Sequence, residues 1–168
     1  MERHIISIYV ENQAGVLSRI AGLISRRGYN IDSLSVGVTE DPRFSRVTVV
    51  IHGDSYVVEQ ISKQVGKLFD VVNIKELIPE ESVYRELALI KVNADAKNRA
   101  EIVAVVDIFR ANIIDVSAST ITVELTGDQA KICAFCELME PFGIAEIART
   151  GLTGLQRGKS NIKDISFD

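Results

Sequence analysis

Residues 11–17, Glu-Asn-Gln-Ala-Gly-Val-Leu, set an amide and a glycine where an apolar strand gives way to an amphipathic helix. The first turn of a helix leaves its backbone N–H groups without intrahelical partners, and the helix dipole makes that end electropositive. Such an end captures a carboxylate. Gly15 has no Cβ, so backbone and ligand can approach closely there. The Asn12 amide donates and accepts at once, which suits the paired groups of a zwitterion. Asn30, at the start of the next strand, is placed to supply a second amide. Ordinary N-capping by Asn12 with a tight turn at Gly15 accounts for the same letters, and both readings stand at this level.

Other residues with chemical potential carry less. "GLTGLQRGKS" (151–160) resembles a phosphate loop, but G-x-x-x-x-G-K-[ST] requires glycine at position 153, which is Thr153. The segment is expected to be a flexible extension or a contact segment. Cys133 and Cys136 form a C-x-x-C on a helix whose Ile132, Phe135, Cys136 and Met139 share one face, so both thiols read as small, mostly buried hydrophobes. His4 and His52 fall in strands with no acidic cluster beside them in sequence, and read as sheet residues rather than metal ligands. No Ser or Cys has an identifiable His partner, and no catalytic residue is assigned. The loops "EDPRFSR" and "PEES" read as solvated.

Composition narrows the class. The chain has 168 residues, 46% hydrophobic and 25% charged, with a formal charge of -4. That balance fits a globular protein and disfavours a general nucleic-acid binder, which needs concentrated Lys and Arg. No apolar run approaches the ~18 residues of a membrane span. "MERHIISIYV" passes directly into strand alternation without a signal-peptide core, and a cytoplasmic location is expected.

The elements that must hold the Asn12–Gly15 corner follow from periodicity. His4, Ile6, Ile8 and Val10 alternate as one strand face; Val16, Leu17, Ile20 and Ile24 then form a helical stripe that "RRG" closes. Strands 29–38 and 45–53 flank a turn at Pro42, Asp54 caps a helix bearing Val58, Ile61, Val65 and Leu68, and "DVVNIKEL" is a last strand. After "PEES" the order repeats: strand 86–94, helix 98–111, strands "IIDVSA" and "TITVELT", helix 128–140 and strand "GIAEIAR". The fold class is α+β, two tandem ferredoxin-like βαββαβ domains, 1–79 and 84–168. Helices on one face of each sheet leave the other bare. Ile5, Tyr9, Thr48 and Val50 fall on that face in the first unit, so oligomerisation is expected. Ferredoxin-like RNA binding would need stacking aromatics on the central strands, where only Tyr9 is available.

"ENQAGVLSRIAGLISRRGYNIDSLSV" with "TEDPRFSR", "FRANIIDVS" and "EIARTGLTGLQRG" resembles the regulatory (small) subunit family of acetohydroxyacid synthase, also called acetolactate synthase, over nearly the whole chain. A strand followed by N-x-x-G-[VL]-L is shared more broadly by ACT domains, which sense small molecules. The resemblance implies an N-terminal ACT domain that pairs as a homodimer and binds a branched-chain amino acid, valine above all, between the copies. Its contact positions correspond to Asn12, Gly15, Val16 and Leu17 of one chain with Asn30 and Ile31 of the other. Gly37 stands where alanine is an alternative in the family, a difference that bears on ligand preference. The resemblance further implies a C-terminal domain for assembly and contact with a large catalytic subunit. That partner would carry thiamine diphosphate, magnesium and FAD, and this chain no cofactor of its own. This chain would stimulate the partner and confer feedback inhibition on it. A free-standing ACT-type sensor acting on a different enzyme is the alternative.

Overall fold

A computed structural model of the chain describes residues 2–164. The chain divides into two compact units, one formed by the residues up to Val83 together with those from Gly151 onward, the other by Tyr84–Thr150.

The first unit contains β1 (Glu2–Glu11), α1 (Val16–Arg26), β2 (Ile31–Val38), β3 (Phe44–Gly53), α2 (Ser55–Val65) and β4 (Val71–Glu76). The strands form an antiparallel sheet in the order β2-β3-β1-β4. The alternation anticipated in sequence sets the core: Ile6, Ile8 and Val10 of β1 and Val47, Val49 and Ile51 of β3 pack with Val16, Ile20 and Ile24 of α1 and Val58, Ile61 and Val65 of α2. Asp54 caps α2, its Oδ1 accepting from the Val57 N–H at 3.0 Å.

The second unit repeats the plan with β5 (Ser82–Asn93), α3 (Arg99–Ile108), β6 (Asn112–Val116), β7 (Thr120–Gly127), α4 (Gln129–Met139) and β8 (Ile144–Arg149), in the order β6-β7-β5-β8. Its core joins Ile90 and Val92 to Ile121, Val123, Ile102, Ile132 and Phe135, and Phe109 meets Phe135 edge-on with centroids 5.3 Å apart. The α+β class and both ferredoxin-like repeats are as the periodicity requires.

Two expectations change with the segment after residue 150. Expected in the second domain, it packs with the first unit, while its short strand pairs with β5. Leu152 and Ile162 are buried, and a short strand, β9 (Thr153–Gln156), lies between them. The tail is tied to the first sheet by side chains on three strands. Ser33 Oγ accepts from the Leu152 N–H, Arg46 Nη1 reaches the Gly154 carbonyl, and Asn73 Nδ2 donates to the Ile162 carbonyl at 2.6 Å. It thus lies over part of the face opposite the helices.

That face explains why a tail is needed. Ile5, Ser7, Tyr9, Thr48 and Val50 are all buried within the single chain, the most open of them at 5% exposure. The expectation that this face awaits a second copy is corrected: the chain covers it itself. The corresponding face of the second sheet is mixed: Lys91, Thr122, Glu124, Thr126 and Glu146, with a 3.5 Å Lys91–Glu146 pair, share it with Leu87 and Leu89.

Gly151 opens the crossing because nothing larger fits. A Cβ there would lie 2.4 Å from the Leu34 carbonyl oxygen and 2.8 Å from the Ser35 nitrogen, both backbone atoms.

Both histidines lie in strands as expected, but the exposure of Cys133 and the histidines' partners differ from expectation. Cys136 packs against the core while Cys133 is exposed; three residues turn a helix through about 300°, which leaves the two thiols about 60° apart, one at the edge of the apolar face and the other beyond it. Burial pushes the Cys136 thiol up, with Cys133 adding to the rise and Arg149 opposing it. His4 is buried and lies 2.6 Å from Glu76, and His52 pairs with Asp32. Strand pairing supplies both carboxylates, which the neighbouring letters did not.

Two outcomes follow. Gly151→Ala should lower stability by about 1–3 kcal/mol through overpacking, whereas Gly37→Ala, where a Cβ meets nothing within 4 Å, should be neutral or slightly stabilising in thermal melts. Equal losses in both variants would contradict the account. Iodoacetamide at mildly alkaline pH should modify Cys133 well before Cys136 by peptide mass mapping, because Cys133 is exposed and burial both shields the Cys136 thiol and raises its pKa.

Candidate functional site

The corner between β1 and α1 is built by its neighbours. The Asn12 N–H donates to the Arg43 carbonyl at 2.7 Å and its Nδ2 to the Pro42 carbonyl at 3.0 Å. Asn12 therefore braces the β2–β3 turn and does not cap the helix. That turn is itself fixed. Arg43 clamps Asp41 through two nitrogens, Nε at 3.0 Å and Nη2 at 2.7 Å, and these hydrogen bonds hold the Asp41 carboxyl below its ordinary range. The loop "EDPRFSR", expected to be merely solvated, is a wall of the corner.

Helix α1 begins at Gly15, which occupies the cap position in the left-handed region at φ 86° with no side-chain cap hydrogen bond. An L-residue with a side chain pays roughly 1–2 kcal/mol for that conformation, so glycine here is a backbone requirement. Capping by Asn12, one of the two readings of these letters, is excluded.

Asn12, Gly15 and Leu17 are exposed at this corner, Leu17 at 39%. Val16 is 4% exposed and packs in the core, so any contact it makes with a ligand goes through its backbone. Sequence reasoning passed over Arg19. Its guanidinium grips the buried Asp70, with Nη2 at 2.5 Å and Nε at 3.0 Å, while a Cβ on Gly15 would lie 3.1 Å from its Nη1. A cation thus stands beside the helix start, on the side that already favours negative charge. The available signal was an arginine four residues after the glycine, one helical turn on.

Asn30 and Ile31 are elsewhere. Ile31 and His4 both pair with Ile51, so β2 begins level with the start of β1, whereas Asn12 follows the far end of β1. Strand rise of about 3.4 Å per residue makes the separation from His4 to Asn12 roughly 27 Å. Asn30 is exposed, its Nδ2 donating to Asp32 Oδ1 at 3.0 Å, and Asp32 also holds His52. These residues line a surface cavity with Tyr29, Gly53 and Asp54. A single chain therefore does not bring the six expected contact residues together. It presents Asn12, Gly15, Val16 and Leu17 at one end of the sheet and Asn30 and Ile31 at the other.

Among the described residues no three His, Cys, Asp or Glu side chains converge as a metal site would require. No helix of those residues is long and apolar enough to cross a membrane.

Comparison with known proteins divides the chain into two consecutive parts, the second of which takes in the start of the tail. Residues 6–73 match a family model described as an AHAS small subunit-like ACT domain, and residues 85–158 match one described as the small subunit of acetolactate synthase. The acetolactate synthase small subunit of Mycobacterium bovis is 50% identical over 159 residues, covering 95% of this chain and 95% of the relative. That of Mycobacterium leprae is 46% identical over 162 residues, covering 96% of each. The crystal structure of the acetolactate synthase small subunit from Thermotoga maritima superposes with a TM-score of 0.87 at 41% identity, covering 95% of this chain and all of that one. With both repeats, the glycine-opened helix start and the tail motif accounted for across nearly its full length, the chain belongs to the family of acetolactate synthase small subunits.

Proposed function

We propose that this chain is a valine-responsive regulatory subunit, binding the amino acid where two copies of its first unit meet. It stimulates a large catalytic acetolactate synthase subunit and confers end-product inhibition on it. The observation that carries the reading is the placement of the two half-sites at opposite ends of one sheet. An amino acid is far shorter than the roughly 27 Å between them, so one ligand contacts both sets only if a second chain contributes one of them.

The chemistry of each half supports the assignment. The uncapped start of α1, with Arg19 beside it, takes the carboxylate. The exposed Asn30 amide provides polar contact from the second chain, and Leu17 and Ile31 give an aliphatic side chain apolar surface. A branched aliphatic amino acid fits that set. Thiamine diphosphate, magnesium and FAD belong to the catalytic partner in this reading, and the second unit serves assembly and partner contact.

Regulation follows by linkage. A ligand held between two chains biases whichever relative arrangement binds it better, and it inhibits only if that arrangement is the less active one. Reciprocity requires that the catalytic subunit alter valine affinity by the same factor.

Calorimetry on the isolated chain should show saturable valine binding, and addition of the chain to purified catalytic subunit should raise synthase activity and make it valine-sensitive. Gly15→Asp should leave a folded chain that still stimulates but no longer responds, because its carboxylate sits beside Arg19 where the ligand's belongs. Its binding loss should reach about tenfold or more, the scale of one charge-assisted contact. Absence of valine heat in the wild type, or full inhibition of the variant, contradicts the proposal.

A further inference from the structure

Between the tail and the first sheet lies a cavity of about 220 Å³. Ser7 and Arg46 line it from the central strands, Lys75 from β4, and Gln156, Lys159 and Ser160 from the tail. Three of these residues are cationic. No carboxylate lines the cavity, and Arg46, Lys75 and Lys159 make no ion pair among the described residues. Arg46 donates to Ser7 Oγ at 2.9 Å and Lys75 to the Asn161 carbonyl at 2.7 Å, both neutral oxygens. Three cations facing one cavity without a counter-ion repel one another, and an anion placed between them relieves that repulsion. Burial pushes the Arg46 guanidinium below its ordinary value, as expected of a charge short of both water and counter-ion.

A second observation narrows the ligand. Gln156 Oε1 is buried without a hydrogen-bond donor. A buried amide end left unpaired is costly, so the occupant that satisfies this lining hydrogen-bonds to it as well as carrying negative charge. Two hydroxyls, Ser7 and Ser160, complete a wall that offers donors to several oxygens. Monohydrogen phosphate combines these features in one group small enough for the space.

We propose that this cavity is a phosphate site, closed by the tail and separate from the amino-acid site at the β1–α1 corner. Its ligand is inorganic phosphate or the phosphoryl group of a small monoester. The segment "QRGKS" fails the spacing of a nucleotide-binding loop, yet it contributes Lys159 and Ser160 to an anion site assembled from strands distant in sequence. Occupancy would fasten the tail to the sheet it covers.

Titration calorimetry of the full-length chain with inorganic phosphate at low ionic strength tests the assignment. Saturable binding of one phosphate per chain is expected, weakening as salt is raised. Lys159→Gln and Lys75→Gln should each weaken it about tenfold, the effect of removing one charge-assisted hydrogen bond, with an unchanged circular-dichroism spectrum and melting temperature as the control for folding. Arg46→Gln should do the same; Lys159, being exposed, keeps the test valid if that variant does not fold. Parallel titration with glycerol 3-phosphate identifies the source: tighter binding marks a monoester, exclusion marks free phosphate. Absence of saturable binding by both probes, or affinity unchanged in Lys159→Gln and Lys75→Gln, overturns the proposal.

Discussion

The register of the first sheet is the constraint on which the functional geometry depends. β1 pairs with β3 residue for residue from Glu2 to Glu11, and β2 joins β3 so that Ile31 falls level with His4. Ladder hydrogen bonds and the burial of Ile6, Ile8 and Val10 on the helix side lock that alignment, because a slip of one residue would turn the apolar set outward. Once the register is fixed, the α1 start and the β2 start are held apart by the length of a strand. A site that uses both is shared between chains, and a shared site lets a small ligand control how two chains sit together.

The same sheet has an apolar second face, and its cover shapes the rest of the unit. Ile5, Tyr9 and Val50 would expose a continuous patch if left open. The tail from Gly151 onward meets the sheet through carbonyl and amide bonds to Ser33, Arg46 and Asn73, with Ile162 buried beneath it. A segment that crosses to the first unit after the second is complete joins the chain's two ends in one fold. The corresponding face of the second sheet mixes Leu87 and Leu89 with Lys91, Thr122, Glu124 and Glu146 and is less apolar.

How much of this was legible in sequence divides by range. Strict alternation in "HIISIYV" and "TITVELT" and the stripe Val16, Ile20, Ile24 gave elements, core and repeat, since each signal lies within one element. Asp54 as a cap was readable for the same reason. The tail was not, because "GLTGLQRGKS" has no period and its partners stand up to 119 residues away. Distance in sequence also hid the carboxylates that meet His4 and His52, and the Pro42 carbonyl that draws Asn12 away from helix capping. For the candidate site, letters indicated which residues favour a carboxylate. The family resemblance divided the contact residues between two chains, and the sheet register shows the two sets at opposite ends of one sheet.

A mixed-chain experiment tests the shared site most directly. Gly15→Asp damages the helix-start half and Asn30→Ala the strand half, so each variant alone should bind valine with affinity reduced about tenfold or more. Denaturing and refolding the two together in equal amounts should restore wild-type-affinity binding in about one site in four, since half of the dimers are mixed and each mixed dimer regains one intact site. Recovery at that level is the predicted result. No recovery in a mixture shown to contain mixed dimers would place both halves in one chain and contradict the account.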